Sequence, residues 1–482
     1  YVDVTLLKGL TFRMTQGFTF GDNVSRSTYG RDSYTTVMAN GDKTSATATS
    51  THNYSWTNQN ILSYVKEFNR NHRINATAVF EQMYSDDFIH KTEAKGGLVS
   101  TIIGANNTAL GDVMYASGER TKTAMMSWMG RVNYVLMDRY MLTASWRYDG
   151  SSRLDKDNRW EQFPSVALAW NAKQERFLRD VNFLSQLKLR VGYGETGNQA
   201  VEPYSAYTEL EATRDAQNHL ALSTKRIGTP NLRWERTQQW NGGIDFGAFN
   251  NRLTVVIDGY YKKTRDLLLK VKVPGSSGFS SGLKNIGEVE NKGFELAINA
   301  TPIEGDFTWN TSLNLTYNKN KVLDLGDVSF IYPSQPGQDE TGIHLGRIIQ
   351  VGQPLGTFYG YVYDGLFSTT DDIASSAQPT AKPGDIRYKD ISGPDGVPDG
   401  VINDLDRTII GCAQPKLFGG FNNTFSYKNF DLNVNTIFTI GNDVYNGTRV
   451  TMENMQGSTN MFASTMNYWT PDNQNAPLPR PL

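Results

Sequence analysis

Residues 140–148 read Tyr-Met-Leu-Thr-Ala-Ser-Trp-Arg-Tyr, and their side chains alternate between apolar and polar along most of the run. In an extended strand successive side chains point to opposite faces, so Leu142 and Trp146 share one face and Arg147 lies on the other. The same alternation recurs in five further runs, at 187–193, 253–261, 294–300, 309–318 and 430–438. This period predicts strands that have one apolar face and one strongly polar face.

Aromatic residues close both ends of the apolar face in three of these runs. The pairs are eight residues apart and are Tyr140 and Tyr148, Trp309 and Tyr317, and Phe430 and Phe438. Eight rises of ~3.3 Å along a strand tilted by ~40° cover about 20 Å of the membrane normal. That height is close to the apolar band of about 25 Å between the aromatic girdles of outer-membrane barrels. A soluble sheet with aromatic core residues is the alternative explanation.

The connections between the runs fall into two classes of length. Short turns are expected at 8–9, 69–72, 137–139, 248–251, 301–305 and 428–429, and a short helix is expected in 172–184. Long polar stretches lie at roughly 21–50, 85–122, 149–161, 195–235, 263–291 and 319–415. Short turns on one side and long loops on the other are typical of membrane barrels. The sequence therefore predicts an all-β fold, with about 14 strands that form part of a transmembrane antiparallel β-barrel with long extracellular loops and short periplasmic turns.

The composition excludes several other classes of protein. The chain of 482 residues has a mean hydropathy of −0.48, and no apolar run approaches the ~18 residues of a membrane-spanning helix. The heptads of coiled coils are absent. The 47 basic and 49 acidic residues nearly balance, which argues against a nucleic-acid partner. The single cysteine, Cys412, leaves no pair for an internal disulfide.

Several stretches resemble the SusC/RagA family of TonB-dependent outer-membrane transporters. The resemblance is carried by YVLMDRYMLTASWRYDGSSR (134–153), DNRWEQFPSVALAW (157–170), LRVGYGETGNQ (189–199), NLRWERTQQWNGGID (231–245), GEVENKGFEL (287–296), GQPLGTFYGYVYDGLF (352–367), residues 384–430 and YWTPDNQN (468–475). These motifs occur in the family's order over nearly the whole chain.

The resemblance implies an integral outer-membrane protein with a barrel of roughly 22 strands, filled by an N-terminal plug. It implies TonB-dependent import of nutrients, oligosaccharides or peptides, energised through the TonB–ExbB–ExbD complex. It also implies a SusD/RagB-like lipoprotein as a lid on the outer surface. No plug or TonB-contacting segment is recognisable, so residues 1–482 are expected to be the C-terminal β-barrel domain, incomplete at both ends. Lipid does not tolerate open sheet edges, so further strands are expected to complete the wall.

No catalytic motif is recognisable, and the protein is not expected to be an enzyme. The five histidines have no HExxH or similar spacing, and no P-loop occurs. Import through a barrel requires no cofactor. Ca²⁺ is the one ion for which the sequence offers a ligand pattern.

That pattern lies in an acidic loop between Asp390 and Asp406. An EF-hand-type loop that begins at Asp395 places ligands at Asp399, the Val401 carbonyl, Asn403 and Asp406, with Gly400 at the sharp turn. Hard oxygen ligands at alternating positions suit Ca²⁺. Val397 occupies a position where an oxygen ligand is expected, however, and Asp406 replaces the bidentate Glu. An acidic turn without metal is the alternative.

Six aromatic residues in the long loops are candidates for contacts with substrate or with the lipoprotein lid: Tyr204, Tyr207, Trp234, Tyr332, Tyr359 and Trp469. Their flat apolar faces suit the C–H faces of sugar rings, and loop Asn and Asp side chains accept hydroxyl hydrogen bonds. Packing of the loops against each other is the alternative for each residue.

Two other functions share part of this pattern. A passive outer-membrane porin has the same alternation and the same asymmetry of loops but no plug and no coupling to TonB. A secreted, soluble glycan-binding β-protein also has two-faced strands and exposed aromatic rings. Extraction separates the second alternative, since a barrel needs detergent and a lectin does not. Only the family resemblance separates the transporter from the porin.

Overall fold

The computed structural model describes residues 1–30, 44–69, 71–96, 106–214, 220–273, 276, 278–279, 281–332, 346–455 and 460–481. The strands are β1 (Val2–Leu7), β2 (Leu10–Tyr29), β3 (Ser45–Phe68), β4 (His72–Lys95), β5 (Val113–Leu136), β6 (Tyr140–Ser151), β7 (Trp160–Asn171), β8 (Leu184–Asn198), β9 (Glu209–Arg214), β10 (Leu220–Arg226), β11 (Glu235–Ala248), β12 (Leu253–Arg265), β13 (Leu268–Lys272), β14 (Ser281–Asn285), β15 (Glu288–Ile303), β16 (Phe307–Asp324), β17 (Phe330–Ile331), β18 (Arg347–Gln350), β19 (Thr357–Gly360), β20 (Tyr363–Leu366), β21 (Ile386–Tyr388), β22 (Thr408–Cys412), β23 (Leu417–Tyr427) and β24 (Phe430–Ile440). The α-helices are α1 (Arg176–Arg179) and α2 (Gly447–Glu453), and the 3₁₀ helices are Thr108–Leu110, Ala172–Gln174, Ile373–Ser375, Asp404–Asp406 and Ala463–Met466. Within these described ranges no helix is long and apolar enough to cross a membrane.

The long strands belong to one 14-stranded sheet, and the strand pairs with a described register are antiparallel. The strand order is β1 to β8, then β11, β12, β15, β16, β23 and β24. The smaller sheets are β9–β10, β13–β14, β20–β21 and β17–β18–β19–β22. The chain divides into two compact units, the first being Tyr1–Ile244 with Thr264–Ile286 and the second Asp245–Lys263 with Gly287–Leu482. The predicted fold class is confirmed.

In the first unit, the predicted turn at 137–139 joins β5 to β6. Met137 and Asp138 adopt φ values of 54° and 53°, the left-handed region used in tight hairpin turns. The hairpin sets the register, which places Tyr134 opposite Leu142 and Leu142 opposite Leu168 on the apolar face. The next connection, between β7 and β8, contains a 3₁₀ turn and α1, so the predicted short helix is also present.

Three strands of the first unit are much longer than the alternation indicated. β3, β4 and β5 each have 24 residues, whereas about 9–11 residues suffice to cross a membrane. The loops predicted at 21–50 and 85–122 are therefore corrected, because β2 continues to Tyr29 and β4 to Lys95. Outside the apolar band both faces are polar, so the alternation fades while backbone pairing continues. The period marks the apolar part of a strand and not its full length.

The second unit repeats the two-faced arrangement around β15, β16, β23 and β24. Leu313 lies between Ile298 and Phe421, and its neighbour Ser312 lies between Asn299 and Asn422. The apolar and polar faces predicted for 309–318 are thus confirmed by the register. The loop predicted at 319–415 is corrected, since β16 runs on to Asp324 and the described part of the stretch contains β17 to β22.

A small core holds the loops of the first unit together. It consists of Leu154, Phe163, Val201, Leu232 and Trp234, all buried, with Met125, Leu268 and Leu283 packed against them. Trp234 meets the Phe163 ring edge-on at 5.6 Å between centroids and donates its Nε1–H to the Arg159 carbonyl at 3.0 Å. Apolar contacts and a paired indole therefore order loops that would otherwise be costly to fix.

Candidate functional site

The apolar face of the first unit carries two levels of aromatic side chains. At the level far from the short turns, the Phe80 and Trp128 rings lie 4.3 Å apart, and Tyr148 stacks on Trp160 at 4.9 Å. At the turn end, Tyr140 and Trp170 lie opposite one another in register. The predicted aromatic pair of β6 is thus part of two aromatic levels that extend over neighbouring strands, as in the girdles of membrane barrels.

The polar face of the same strands carries a paired charge cluster. Arg147 contacts both carboxylate oxygens of Asp149 through Nε at 2.8 Å and donates from Nη2 to Ser127 Oγ at 2.9 Å. The Glu81 carboxylate lies 3.5 Å from the same Nη2 atom. Asp149 is buried, so the arginine neutralises a carboxylate that has lost most of its water. These groups can hold and orient a polar solute or protein segment, and they show no nucleophile–base arrangement.

Other polar side chains on this face are also hydrogen-bonded to each other. Thr143 donates to Asn133 Oδ1 at 2.9 Å, and the Ser145 and Ser165 hydroxyls are 2.6 Å apart. The alternation predicted a polar face, and Arg147 and Asp149 are two residues apart on it. Nothing in the sequence pointed to Glu81, which reaches the cluster from another hairpin. The polar face thus carries hydrogen-bonded side chains on several neighbouring strands.

A second charged group lies beyond the last described pair of β7 and β8, which joins Ser165 to Gly194. Glu195 accepts hydrogen bonds from Arg236 Nη2 at 2.5 Å and Gln238 Nε2 at 3.1 Å, and from the Tyr193 hydroxyl. Its carboxylate is saturated by these donors. The local sequence alone places this residue in a strand-to-loop exit and gives no sign of its partners.

The predicted loop aromatics of the first unit separate into two kinds. Tyr204 and Tyr207 are 40% and 47% exposed, whereas Trp234 is 3% exposed. The Tyr204 hydroxyl accepts a hydrogen bond from the Lys122 amide at 2.8 Å, which ties this side chain to the long β5 strand. The geometry favours loop packing for Trp234, which has no free ring face, and leaves Tyr204 and Tyr207 available for contacts.

The three candidates in the second unit separate in the same way. The rings of Tyr332 and Tyr359 lie 6.1 Å apart, and Tyr332 is 37% exposed. Trp469 is buried, and its ring fills the space where a side chain on Gly384 would lie. The φ of +87° at Gly384 also favours glycine. Trp469 therefore packs the loop. Tyr332 and Tyr359 form the more accessible aromatic pair.

The acidic loop is organised around the carboxylate of Asp406, one of the residues predicted to bind calcium. Asp406 is fully buried, and its carboxylate accepts backbone N–H bonds from Ile391 at 2.9 Å, Ser392 at 3.2 Å and Asn403 at 2.8 Å. Burial raises the pKa of this carboxyl, but the three backbone donors outweigh burial, and the pKa lies below its usual range.

The remaining predicted ligands make other hydrogen bonds or are exposed. The Asp399 carboxylate accepts a hydrogen bond from the Val401 amide at 3.0 Å, and the Asn403 side chain donates one to the Val401 carbonyl at 3.2 Å. Asp395 is exposed. Over the ranges that the structure describes, no group of three or more His, Cys, Asp or Glu is arranged to hold a metal ion. The residues therefore fit an acidic turn organised by backbone hydrogen bonds better than a cation site.

Several proteins with sequences similar to this chain are TonB-dependent receptors. The family model described as "TonB dependent receptor-like, beta-barrel" matches residues 3–348. TonB-dependent receptor P26 of Formosa agariphila is 34% identical over 492 residues, covering 100% of this chain and 48% of the relative. TonB-dependent receptor SusC of Bacteroides thetaiotaomicron is 38% identical over 339 residues, covering 67% of this chain and 32% of the relative.

Among solved structures, the RagAB peptide transporter superposes with a TM-score of 0.81 at 24% identity. The match covers 99% of this chain and 51% of that chain, and it supports the fold. The chain spans about half the length of TonB-dependent receptors P26 and P3 of Formosa agariphila.

Proposed function

Because this chain belongs to the TonB-dependent receptor β-barrel family, in its SusC/RagA branch, we propose that it forms the barrel wall of an outer-membrane nutrient importer. The family consists of receptors and transporters, so the activity we propose is gated, energy-dependent import without bond chemistry. The wall is embedded in the outer membrane and is energised through TonB, ExbB and ExbD.

The observation that carries this proposal is the division of the sheet into a mainly apolar face and a polar face. One face has aromatic levels at both ends of an apolar band, which suits lipid. The other face has paired charges and hydrogen-bonded hydroxyls, such as Arg147 with Asp149 and Ser145 with Ser165, which suits a water-filled or plugged interior. A soluble β-protein needs an apolar core between its sheets, and this distribution gives little support to one.

The proposed cargo is an oligosaccharide or a peptide, and the proposed partner is a SusD/RagB-like surface lipoprotein. The names of SusC and of the RagAB peptide transporter among the similar proteins support this assembly. The exposed rings of Tyr207 and Tyr332 lie in the long connections, where a lid or a cargo molecule would make contact. Rings of this kind stack equally well on sugars and on peptide side chains, so both cargo classes are retained.

Uptake by intact cells tests the proposal. A strain that lacks the full-length gene, and the same strain complemented, would be compared on labelled oligosaccharides and on labelled peptide digests. Only the complemented strain should take up one of the two classes. Uptake should stop on deletion of TonB or on addition of a protonophore, and a stoichiometric lipoprotein should purify with the transporter in mild detergent.

The alternatives give different results in the same experiment. A passive porin continues to pass its solute without TonB and with the protonophore present. A secreted glycan-binding protein appears in the soluble fraction and needs no detergent for extraction. Either result would replace the importer as the function.

A further inference from the structure

An apolar groove lies on the membrane-type face of the first unit, at its short-turn end. It encloses about 490 Å³ and runs across β5, β6, β7 and β8. Two rows of side chains in register form it, Tyr134–Leu142–Leu168–Val191 and Leu136–Tyr140–Trp170–Leu189. Leu168 and Val191 are 52% and 48% exposed in the groove. Arg190, the charged residue among the lining, already has a partner of its own.

The connection from β7 to β8 is tied directly to the end of this groove. Glu175 Oε1 accepts hydrogen bonds from the Tyr140 hydroxyl at 2.7 Å and from the Trp170 Nε1–H at 3.2 Å. Arg139 Nη1 lies 3.2 Å from the other oxygen of the same carboxylate. Two groove-lining aromatics therefore hold the residue that immediately precedes α1, so α1 is fixed beside the groove.

This connection carries two arginines that are open to solvent. Arg176 and Arg179 are exposed, and no ion pair or side-chain hydrogen bond involves either of them among the described residues. Lys173 is engaged, since its Nζ atom donates to the carbonyls of Leu178, Arg179 and Val181. The connection contains two anions, Glu175 and Asp180. Arg139 balances the charge of Glu175. Phe177, between the two arginines, is 70% exposed.

We propose that the groove binds an acyl chain of an anionic phospholipid, with Arg176 and Arg179 recognising its headgroup. The groove continues the face that contacts lipid, so a lipid chain is the apolar material at hand. The free arginines at one end select negative charge, and exposed Phe177 suits the boundary between headgroup and chain. This inference rests on the membrane placement in the proposed function, and it concerns the leaflet on the short-turn side.

Native mass spectrometry of the full-length transporter in neutral detergent tests the site. Phosphatidylglycerol and phosphatidylcholine with identical chains would be titrated separately, and bound lipid would be counted. We expect wild type to retain phosphatidylglycerol at least about fivefold better, in keeping with the effect of one cation near an anionic headgroup. Arg176→Gln/Arg179→Gln should remove this preference, and Leu168→Trp should reduce the binding of both lipids by filling the groove.

Matched controls use similar residues elsewhere on the chain. Lys8→Gln/Lys428→Gln removes two cations from other short turns, and Leu432→Trp enlarges a 58% exposed apolar residue on β24. Both controls should bind lipid as wild type does. Equal retention of the two lipids by wild type, or an unchanged preference in the arginine variant, overturns the proposal. Unchanged binding in Leu168→Trp places the lipid elsewhere and overturns the groove assignment.

These outcomes remain distinct from a failure of the proposed import function. Uptake is measured in cells and lipid retention on the purified protein, so an importer without this lipid preference is recognisable. Heat-induced mobility shifts on gels would confirm that each variant is folded before lipid is counted.

Discussion

The Nε atom of Arg147 lies 2.8 Å from each carboxylate oxygen of Asp149, two residues further along β6. Both side chains are on the polar face of the strand, opposite Trp146 and Tyr148. The guanidinium also reaches Ser127 and Glu81 on neighbouring strands, so one arginine joins three strands of the first unit. Such a cluster contributes to stability only while its charges remain paired.

Arg147→Met should lower the free energy of unfolding by roughly 1–3 kcal/mol, because Asp149 is buried and would lose its cation. Urea unfolding in lipid vesicles measures the change. Arg73→Met is the control, since Arg73 pairs with Asp138 at an exposed turn, where an ion pair is worth at most about 1 kcal/mol. Equal losses of unfolding free energy in the two variants would show that the buried cluster stabilises the protein no more than an exposed ion pair does.

Leu313→Arg and Ser312→Arg change neighbouring residues of β16 that lie on opposite faces. Leu313→Arg should cost about 2–4 kcal/mol, as expected for arginine facing lipid near mid-membrane. Ser312→Arg should cost less than about 1 kcal/mol, since Ser312 borders a polar pocket with Asn299 and Asn422. The same vesicle assay reports both values. A greater loss in Ser312→Arg would invert the assignment of the faces.

Trp234→Ala should open the loop core of the first unit, because deletion of a buried indole typically costs about 3–5 kcal/mol. Hydrogen–deuterium exchange of residues 199–208 and 228–234 should accelerate. Tyr207→Ala removes an exposed ring and should leave exchange unchanged. It should instead weaken uptake or lid binding. Full uptake by Tyr207→Ala would remove that residue from the contact surface.

The acidic loop should lose protection in acid. Asp406 has a lowered pKa in the folded protein, so its contribution to stability is complete above the usual Asp value of about 3.9 and disappears as the pH falls through the folded pKa. Exchange of the 390–407 amides, corrected for intrinsic rates, should therefore rise below about pH 4.

Asp406→Asn should raise the same exchange already at neutral pH, by about tenfold or more, because an amide cannot accept all three N–H bonds. Asp395→Asn changes an exposed carboxylate of the same loop and should have no effect. Added Ca²⁺ should also leave exchange unchanged if the turn is metal-free. Slower exchange with Ca²⁺, abolished by Asp395→Asn, would support the calcium prediction made from the sequence.

Some features of the chain follow from its local sequence alone. The alternation of 140–148 and 309–318 assigned both faces correctly, since a strand has a period of two whatever it pairs with. The short turns at 137–139 and 428–429 were recognisable because apolar alternation stops and restarts within three residues. Antiparallel pairing and register then follow largely from the hairpins.

Other features depended on contacts that no local pattern encodes. The full length of β3, β4 and β5 was missed because backbone hydrogen bonds continue where the side-chain pattern has already faded. Trp234 and Tyr207 look alike in sequence, and only the packing of Phe163 and Leu232 against Trp234 buries one and leaves the other exposed. Glu81 reaches Arg147 across 66 residues of chain. Local periodicity determined the faces of the strands, whereas contacts between distant segments decided which loop aromatics are free and which charges are paired, because burial and pairing are properties of the folded neighbourhood.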